Sequence, residues 1–212
     1  MKSIYFITFI LLFTLAANAQ IVQINPYVGW TTSSALQMYY GKVRTTDGIN
    51  YGGNLSFGKG MSSGGFTQNA FIELQYNYLK TDLEFESYTV EPDQALGDIA
   101  MHNIMIGGIK GSGNEKVVGY GGTYLGATIF DPADSKYEGQ TRFTLSFGAG
   151  LKYAASPKVG IRLHAQMYMP FWGSDFYVGW GGSGANAGLA TSAVNVYANF
   201  NIGLYLNIDK GQ

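Results

Sequence analysis

The sequence predicts an all-β protein: a transmembrane, antiparallel, up-and-down barrel of eight strands preceded by a cleaved signal peptide. Three observations carry that expectation. The first is alternation. From Val159 to Met169 the odd positions are Val159, Ile161, Leu163, Ala165, Met167 and Met169, while the even ones are Gly160, Arg162, His164, Gln166 and Tyr168. From Val194 to Ile208 the even positions are again apolar, from Val194 and Val196 through Phe200, Ile202 and Leu204, against Asn195, Tyr197, Asn199, Asn201 and Tyr205. Successive side chains of a strand point to opposite faces. Alternation kept up this long outruns the five or six residues or so of a soluble strand and suits the roughly 9 to 11 that cross a bilayer. The second observation is composition. The chain has 30 glycines, 16 tyrosines and 13 phenylalanines beside 13% charged residues, about half the usual charged fraction. The third is that long and short connections interleave along the chain.

The elements follow in order. Lys2 precedes an apolar run from Ile4 to Ala17, closed by Ala17-Asn18-Ala19. This pattern predicts a secretory signal peptide over residues 1–19, cut before Gln20, with residues 20–212 forming one barrel domain. No other run is long enough to cross a membrane as a helix, so the mature chain is expected to cross with strands. Eight are predicted: Ile21 to Trp30, Ile49 to Phe57, Phe66 to Lys80, Asp98 to Lys110, Lys116 to Phe130, Thr141 to Tyr153, Val159 to Met169 and Val194 to Ile208. The count is even, as in bacterial single-chain barrels. In the third, Ile72, Leu74, Tyr76 and Tyr78 oppose Glu73, Gln75 and Asn77; in the sixth, Phe143, Leu145, Phe147 and Leu151 oppose Arg142, Thr144, Ser146 and Lys152. The fourth and fifth are glycine-rich and declare no face.

The short connections are Gly58 to Gly65, Gly111 to Glu115 and Ala154 to Pro157; the long ones are Thr31 to Gly48, Thr81 to Gly97, Asp131 to Gln140 and Phe171 to Ala193. Such barrels carry short turns on the periplasmic side and long loops outside. Both termini are therefore expected in the periplasm, with the protein in the cell outer membrane. Trp30, Phe57, Tyr153, Phe171 and Trp172 stand near strand ends, where aromatic girdles sit. The loop from Thr81 to Gly97 holds Asp82, Glu84, Glu86, Glu91 and Asp93 and no basic residue, and is expected to be a solvated acidic loop.

Several functions are disfavoured. The formal net charge is −1, so no basic surface attracts nucleic acid. With no cysteine there are no disulfides and no thiol metal sites. Gly119-Tyr120-Gly121-Gly122 and Gly179-Trp180-Gly181-Gly182 lack the Lys-Ser/Thr pair and following helix of a phosphate loop. His102 would need a nearby serine to act in acyl transfer, and none occurs between Ser87 and Ser112. No catalytic, cofactor or metal site is expected. The candidate site is structural: Glu73, Arg142, Lys152, Arg162 and His164 fall on polar strand faces and are expected to form a charge network in the lumen. A buried cation must be paired, and Glu73 is the counter-ion, with Arg162 its preferred partner.

Three segments resemble the small eight-stranded barrels of the OmpA-barrel and OmpX type, and in particular the outer-membrane β-barrel domains common in Bacteroidota. They are Gly126-Ala127-Thr128-Ile129-Phe130-Asp131-Pro132, Arg142-Phe143 with Phe147-Gly148-Ala149-Gly150-Leu151-Lys152-Tyr153, and Ser156-Pro157-Lys158-Val159-Gly160-Ile161-Arg162-Leu163. The resemblance implies the fold over the whole mature chain, with outer-membrane lipid, lipopolysaccharide and the barrel assembly machinery as partners and a monomer as the working form. It differs in ending on Asp209-Lys210-Gly211-Gln212, where such barrels often end on an aromatic residue. The chain is also expected to lack the periplasmic peptidoglycan-binding domain of larger relatives. The expected function is a non-enzymatic structural or surface-interaction role that displays extracellular loops to a partner the sequence does not identify. The alternatives are a narrow conduit for small or hydrophobic ligands and a lipid-modifying enzyme. Eight strands leave an interior just filled by side chains, which argues against a general porin.

Overall fold

A computed structural model describes residues 21–38, 41–58, 70–88, 94–114, 116–134, 138–172, 175–181, 184–190 and 193–209. The expected signal peptide, most of the connection after Gly58, and Glu91 and Asp93 lie outside the described residues. Eight long strands build the wall: β1 (Ile21–Thr31), β4 (Gly48–Gly58), β5 (Ala70–Ser87), β6 (Gln94–Gly113), β7 (Val117–Pro132), β8 (Gln140–Ala154), β9 (Val159–Trp172) and β13 (Tyr197–Asp209). Each pairs antiparallel with its neighbour in this sequence, and β13 pairs with β1 to close the ring. Closure gives each of the eight wall strands a partner on both sides, which hydrocarbon demands because it offers no water to an unpaired backbone group.

The register fixes the size of the barrel. From Ile21 the paired residues run through Gly58, Phe71, Ile109, Gly122, Gly148, Gln166 and Asn199 back to β1 at Thr31, ten residues above the start. For eight strands that stagger means a tilt of about 40° and an interior wide enough for side chains but not for a water column.

The end that carries Ile21 and Asp209 is called lower here, and the opposite end upper. Two lower turns are tight. After β6, the Asn114 side chain accepts from the Lys116 and Val117 amides at 3.0 and 2.7 Å. After β8, the Ala155 and Ser156 amides donate to the Val159 carbonyl at 3.1 and 2.9 Å. At the upper end the sequence and the structure part company. Thr31 to Gly48 contains a hairpin, β2 (Ser34–Met38) and β3 (Gly41–Thr45), and β3 pairs on the upper half of β5. Residues 81–87 and 94–97 continue β5 and β6 as strand, so the expected acidic loop is mostly sheet. Glu86 meets Lys42 at 2.7 Å and Glu84 lies opposite Arg44. The basic partners are some forty residues away in sequence, which is why the segment read alone looked unopposed. Phe171 to Ala193 likewise holds a hairpin, β10 (Asp175–Gly181) with β11 (Gly184–Ala190), and the short β12 (Ala193–Val194) pairs with the end of β9.

The outward face is apolar. Phe200, Ile202 and Leu204 on β13 are about half exposed, as are Phe147, Leu151 and Leu163 on β8 and β9, as expected of side chains facing lipid. Trp30, outward, donates to Asp47 at 3.1 Å, and Tyr51, Tyr78 and His102 form a further outward cluster. Trp172 is a correction: it sits partly buried on the inward side against Phe130, with ring centroids 4.9 Å apart. The structure also gives the phases of the two glycine-rich strands. Met101, Asn103, Met105 and Ile109 on β6, and Tyr120, Tyr124, Thr128 and Phe130 on β7, are buried and point inward, while Ile104, Ile106 and Leu125 are exposed. The inward glycines make room for rings. A Cβ on Gly160 would lie 2.3 Å from the Tyr205 ring, and one on Gly107 would lie 2.4 Å from the Tyr124 ring.

Candidate functional site

The lumen is filled by side chains in layers. The lowest is built around Lys152, which β8 aims inward. Its ammonium donates to Gln23 Oε1 at 2.7 Å and lies 4.5 Å from the Phe71 ring centroid and 5.9 Å from that of Tyr205. Gln23 in turn donates to Asn207 at 2.7 Å. An ammonium without a carboxylate beside it is held here by amide oxygen and aromatic faces, both of which stabilise a partly desolvated cation.

Above it stands the ion pair. Glu73 on β5 is 0% exposed and Arg162 on β9 is 1% exposed. The guanidinium meets the carboxylate side by side, Nη1 to Oε1 at 2.7 Å and Nη2 to Oε2 at 2.9 Å, the two-pronged geometry that makes arginine the strongest carboxylate partner. Ser56 donates to Oε1 and Tyr124 to Oε2, each at 2.7 Å. The third prong, Arg162 Nε, donates to the Tyr120 hydroxyl at 2.5 Å, and that ring also stacks on the guanidinium at 4.5 Å. Asn54, in the orientation that satisfies both its amide atoms, accepts from Nη1 at 3.2 Å. Both charges are thus neutralised and hydrogen-bonded on every prong, the condition under which an ion pair survives burial.

Further polar layers stand above the pair. Tyr120 meets His164 Nδ1 at 2.8 Å, and His164 Nε2 meets Gln166 Oε1 at 2.9 Å. Gln166 and Gln75 exchange amide hydrogen bonds across the lumen at 2.6 and 2.8 Å. The next layer is an asparagine lattice in which Asn77 donates to Asn50 at 2.8 Å and accepts from Asn103 and Asn199, each at 3.2 Å. Thr128 and Tyr197 donate to Asn103 at 2.6 and 2.7 Å, and Tyr197 stacks on Tyr168. Leu79, Met101 and Phe130 close the top as an apolar layer.

Of the five residues singled out by sequence, the structure brings Glu73, Arg162 and His164 into one connected group, His164 through Tyr120, and places Lys152 one layer below. Arg142 stands apart. It lies at the upper rim, its guanidinium 4.8 Å from the Trp172 ring centroid and hydrogen-bonded to Gln140. Alternation placed it on the polar face, but polar face does not fix height, and β8 carries it well above the carboxylate. The sequence reading missed Tyr120, Tyr124, Ser56 and Asn103, which lie on strands whose phase it left open or whose role it did not consider. The outward His102 is engaged by the Tyr76 hydroxyl at 2.9 Å and by the edge of Tyr78.

Comparison with known proteins gives no matching family model and no matching curated protein. Among solved structures the chain is similar to neisserial surface protein A, at a TM-score of 0.57 and 12% identity, covering 90% of this chain and 98% of that one. The likeness shows the fold: this chain is an eight-stranded antiparallel β-barrel of the transmembrane type. Lower-scoring similarities include the N-terminal β-barrel domain of Pseudomonas aeruginosa OprF, at a TM-score of 0.44 and 13% identity over 89% of this chain and 98% of that chain. Another is Ail, the attachment invasion locus protein of Yersinia pestis, at a TM-score of 0.42 and 16% identity over 90% and 99%.

Proposed function

We propose that the protein is a non-conducting outer-membrane anchor whose sealed barrel holds its upper end at the cell surface as an interaction face. The observation that carries this reading is the side-chain fill of the lumen, running from Lys152 through the Glu73–Arg162 pair and the amide lattice to the apolar layer at Leu79 and Met101. An interior closed by charges, amides and then hydrocarbon leaves no continuous water path, which supports a scaffold over a conduit. The upper end carries the extra hairpins β2–β3 and β10–β11, and loops on a rigid frame are where recognition usually sits. In this reading both termini are periplasmic, the apolar belt contacts outer-membrane lipid and lipopolysaccharide, the barrel assembly machinery inserts the chain, and it works as a monomer. The similar neisserial protein is, by its name, a surface protein. The engagement of His102 by two tyrosines supports an interfacial role for that residue over acyl-transfer chemistry.

Two measurements test the proposal. The chain reconstituted in planar bilayers is expected to leave the baseline conductance unchanged, and sustained open-channel steps would contradict it. Protease added to intact cells is expected to cut at the upper end, between Phe171 and Ala193, and cleavage at Ser156-Pro157 instead would invert the orientation.

A further inference from the structure

Through the middle of the barrel apolar side chains face lipid and polar ones fill the lumen. Near the upper end the wall turns this pattern inside out. On β5 the inward phase above Asn77 is Leu79, Thr81 and Leu83, and the outward phase is Lys80, Asp82, Glu84 and Glu86. On β6 and β7 the inward Ile99, Met101 and Phe130 are buried, while Asp98 and Asp131 stand on the outward phase. Charges on the lipid face are destabilising in hydrocarbon, so this part of the wall stands in water above the membrane. Charged outside and apolar inside is the pattern of a water-borne barrel, and a barrel of this girth leaves room inside for one small ligand.

At this level a bulge interrupts the pairing of β5 with β6. Leu83 faces Gly97 and Glu84 faces Ala95, so Leu96 is the extra residue, and Gly97 takes a φ of +107°. Bulges re-aim side chains, and Leu96 joins Leu83, Ile99, Phe130, Pro132 and Trp172 around a cavity of about 250 Å³. Its floor, Ile99 and Phe130, belongs to the apolar layer that seals the lumen, so the cavity ends blind. Leu83, Leu96 and Pro132 are only part-buried, apolar surface that an occupant of the cavity would cover. Among the described residues the charged groups nearby lie at its edge. Asp98 is paired with Lys80 at 2.7 Å on the outward phase, Arg142 lies on the Trp172 ring and is bonded to Gln140, and Asp134 and Glu138 are exposed at the mouth.

We propose that this cavity binds a small neutral apolar molecule of about ten non-hydrogen atoms, at the small end of ligand sites. Its size follows from the cavity volume and its neutrality from the lining. An ion would exchange water for hydrocarbon side chains and gain no counter-charge inside. The ligand lies on Ile99 and Phe130, with Trp172 at its side, and covers Leu83, Leu96 and Pro132. The inference does not rest on the anchor reading: the cavity stands above the seal, so bilayer conductance tests the one and ligand binding the other.

The test uses the full chain in lipid nanodiscs with 5-fluorotryptophan incorporated, the Trp172 signal being assigned by Trp172→Phe. Trp30, on the outward face, reports partition of a probe into the bilayer. Three probes are titrated by free aqueous concentration: propylbenzene, 2-phenylethylammonium, which puts an ammonium in place of the terminal methyl, and 3-phenylpropionate. Propylbenzene is expected to shift the Trp172 signal saturably while Trp30 responds without saturation. Both ions are expected to bind at least about tenfold more weakly, since neither finds a counter-charge in the cavity. Leu96→Trp fills the cavity and, with the folded band kept, is expected to abolish the saturable shift. Leu83→Trp does the same from the facing strand and serves where a change at Leu96 disturbs the bulge. The proposal is overturned if Trp172 does not respond to propylbenzene, if either ion binds as tightly, if Trp172 follows Trp30 without saturation, which is plain partition, or if the saturable shift survives in a folded filling variant.

Discussion

Removing the Glu73 carboxylate is the most informative single perturbation of the barrel. In Glu73→Ala the Arg162 guanidinium, 1% exposed, loses both of its charged contacts and keeps only Tyr120 and Asn54. A stranded buried charge costs about 3–5 kcal/mol. The Ser56 and Tyr124 hydroxyls, which donate to nothing else among the hydrogen bonds described here, add ~1 kcal/mol each as unsatisfied groups. The expected loss is therefore about 5–7 kcal/mol. Arg162→Met is expected to cost less, about 3–4 kcal/mol, because Ser56 and Tyr124 still donate to the remaining carboxylate. The double variant removes both charges and fills part of the space with a flexible thioether, so it is expected to be less destabilised than the sum of the singles by about 3 kcal/mol, the upper range for residues in direct contact. The assay is equilibrium urea unfolding in lipid vesicles, followed by tryptophan fluorescence and by the gel shift between folded and heat-denatured bands. Additive singles would refute the reasoning, since two groups that share both prongs of one ion pair cannot be energetically independent.

The remaining expectations concern backbone and packing. Gly160→Ala drives a methyl to within 2.3 Å of the Tyr205 ring and of the Tyr153 carbonyl and is expected to cost about 1–3 kcal/mol as overpacking. Gly121→Ala, whose nearest neighbour is 3.8 Å away, is expected to stay within about 0.5 kcal/mol of the parent; equal effects in urea unfolding would contradict the claim that inward glycines accommodate rings. Gly97→Ala has space for its methyl but a φ of +107°, so it is expected to cost on the order of 1–3 kcal/mol of local strain, read as loosened amide exchange around the β-bulge where the β5–β6 register shifts between Leu83 and Glu84 and not as loss of the lower ion pair. Lys42→Ala removes an exposed pair with Glu86 and is expected to change stability by less than about 1 kcal/mol.

The fold was legible because lipid imposes a two-residue period that most of the wall strands carry openly. Strands β9 and β13 could be phased from Val159 and Val194 onward, and the register later observed preserves those faces. Two kinds of information were out of reach. On β6 and β7 the glycines at 107, 111, 119, 121, 122 and 126 erase the polar–apolar contrast, so Tyr120 and Tyr124, which complete the ion pair, had no readable face. Height was the other. Alternation says that Arg142, Lys152 and Arg162 share the polar phase, but only the ten-residue stagger decides which of them meets Glu73. The upper end was misread for a related reason. Residues 81–87 are acidic and looked like loop, yet they are strand because β3, a hairpin arm far back in the sequence, supplies Lys42 and Arg44 opposite them. The apolar layer at the top of the lumen also went unseen, since inward-facing Met101, Ile99 and Phe130 break the polar-inside rule on which the reading relied.

The central claim is a lipid-facing apolar phase wrapped around a dry, side-chain-filled lumen, and the chain's lack of cysteine makes one measurement decisive. Single cysteines at Asn199, Phe200, Asn201, Ile202 and Leu204 of β13, spin-labelled in lipid vesicles, can be read for collision with dissolved oxygen, which concentrates in hydrocarbon, and with a water-soluble nickel chelate. The expected result is a period of two. Phe200, Ile202 and Leu204 should collide with oxygen, while Asn199 and Asn201 should be shielded from both reagents. High nickel access at Asn199 and Asn201 would mean a water-filled pore, and loss of the two-residue period would mean that β13 does not face lipid at all.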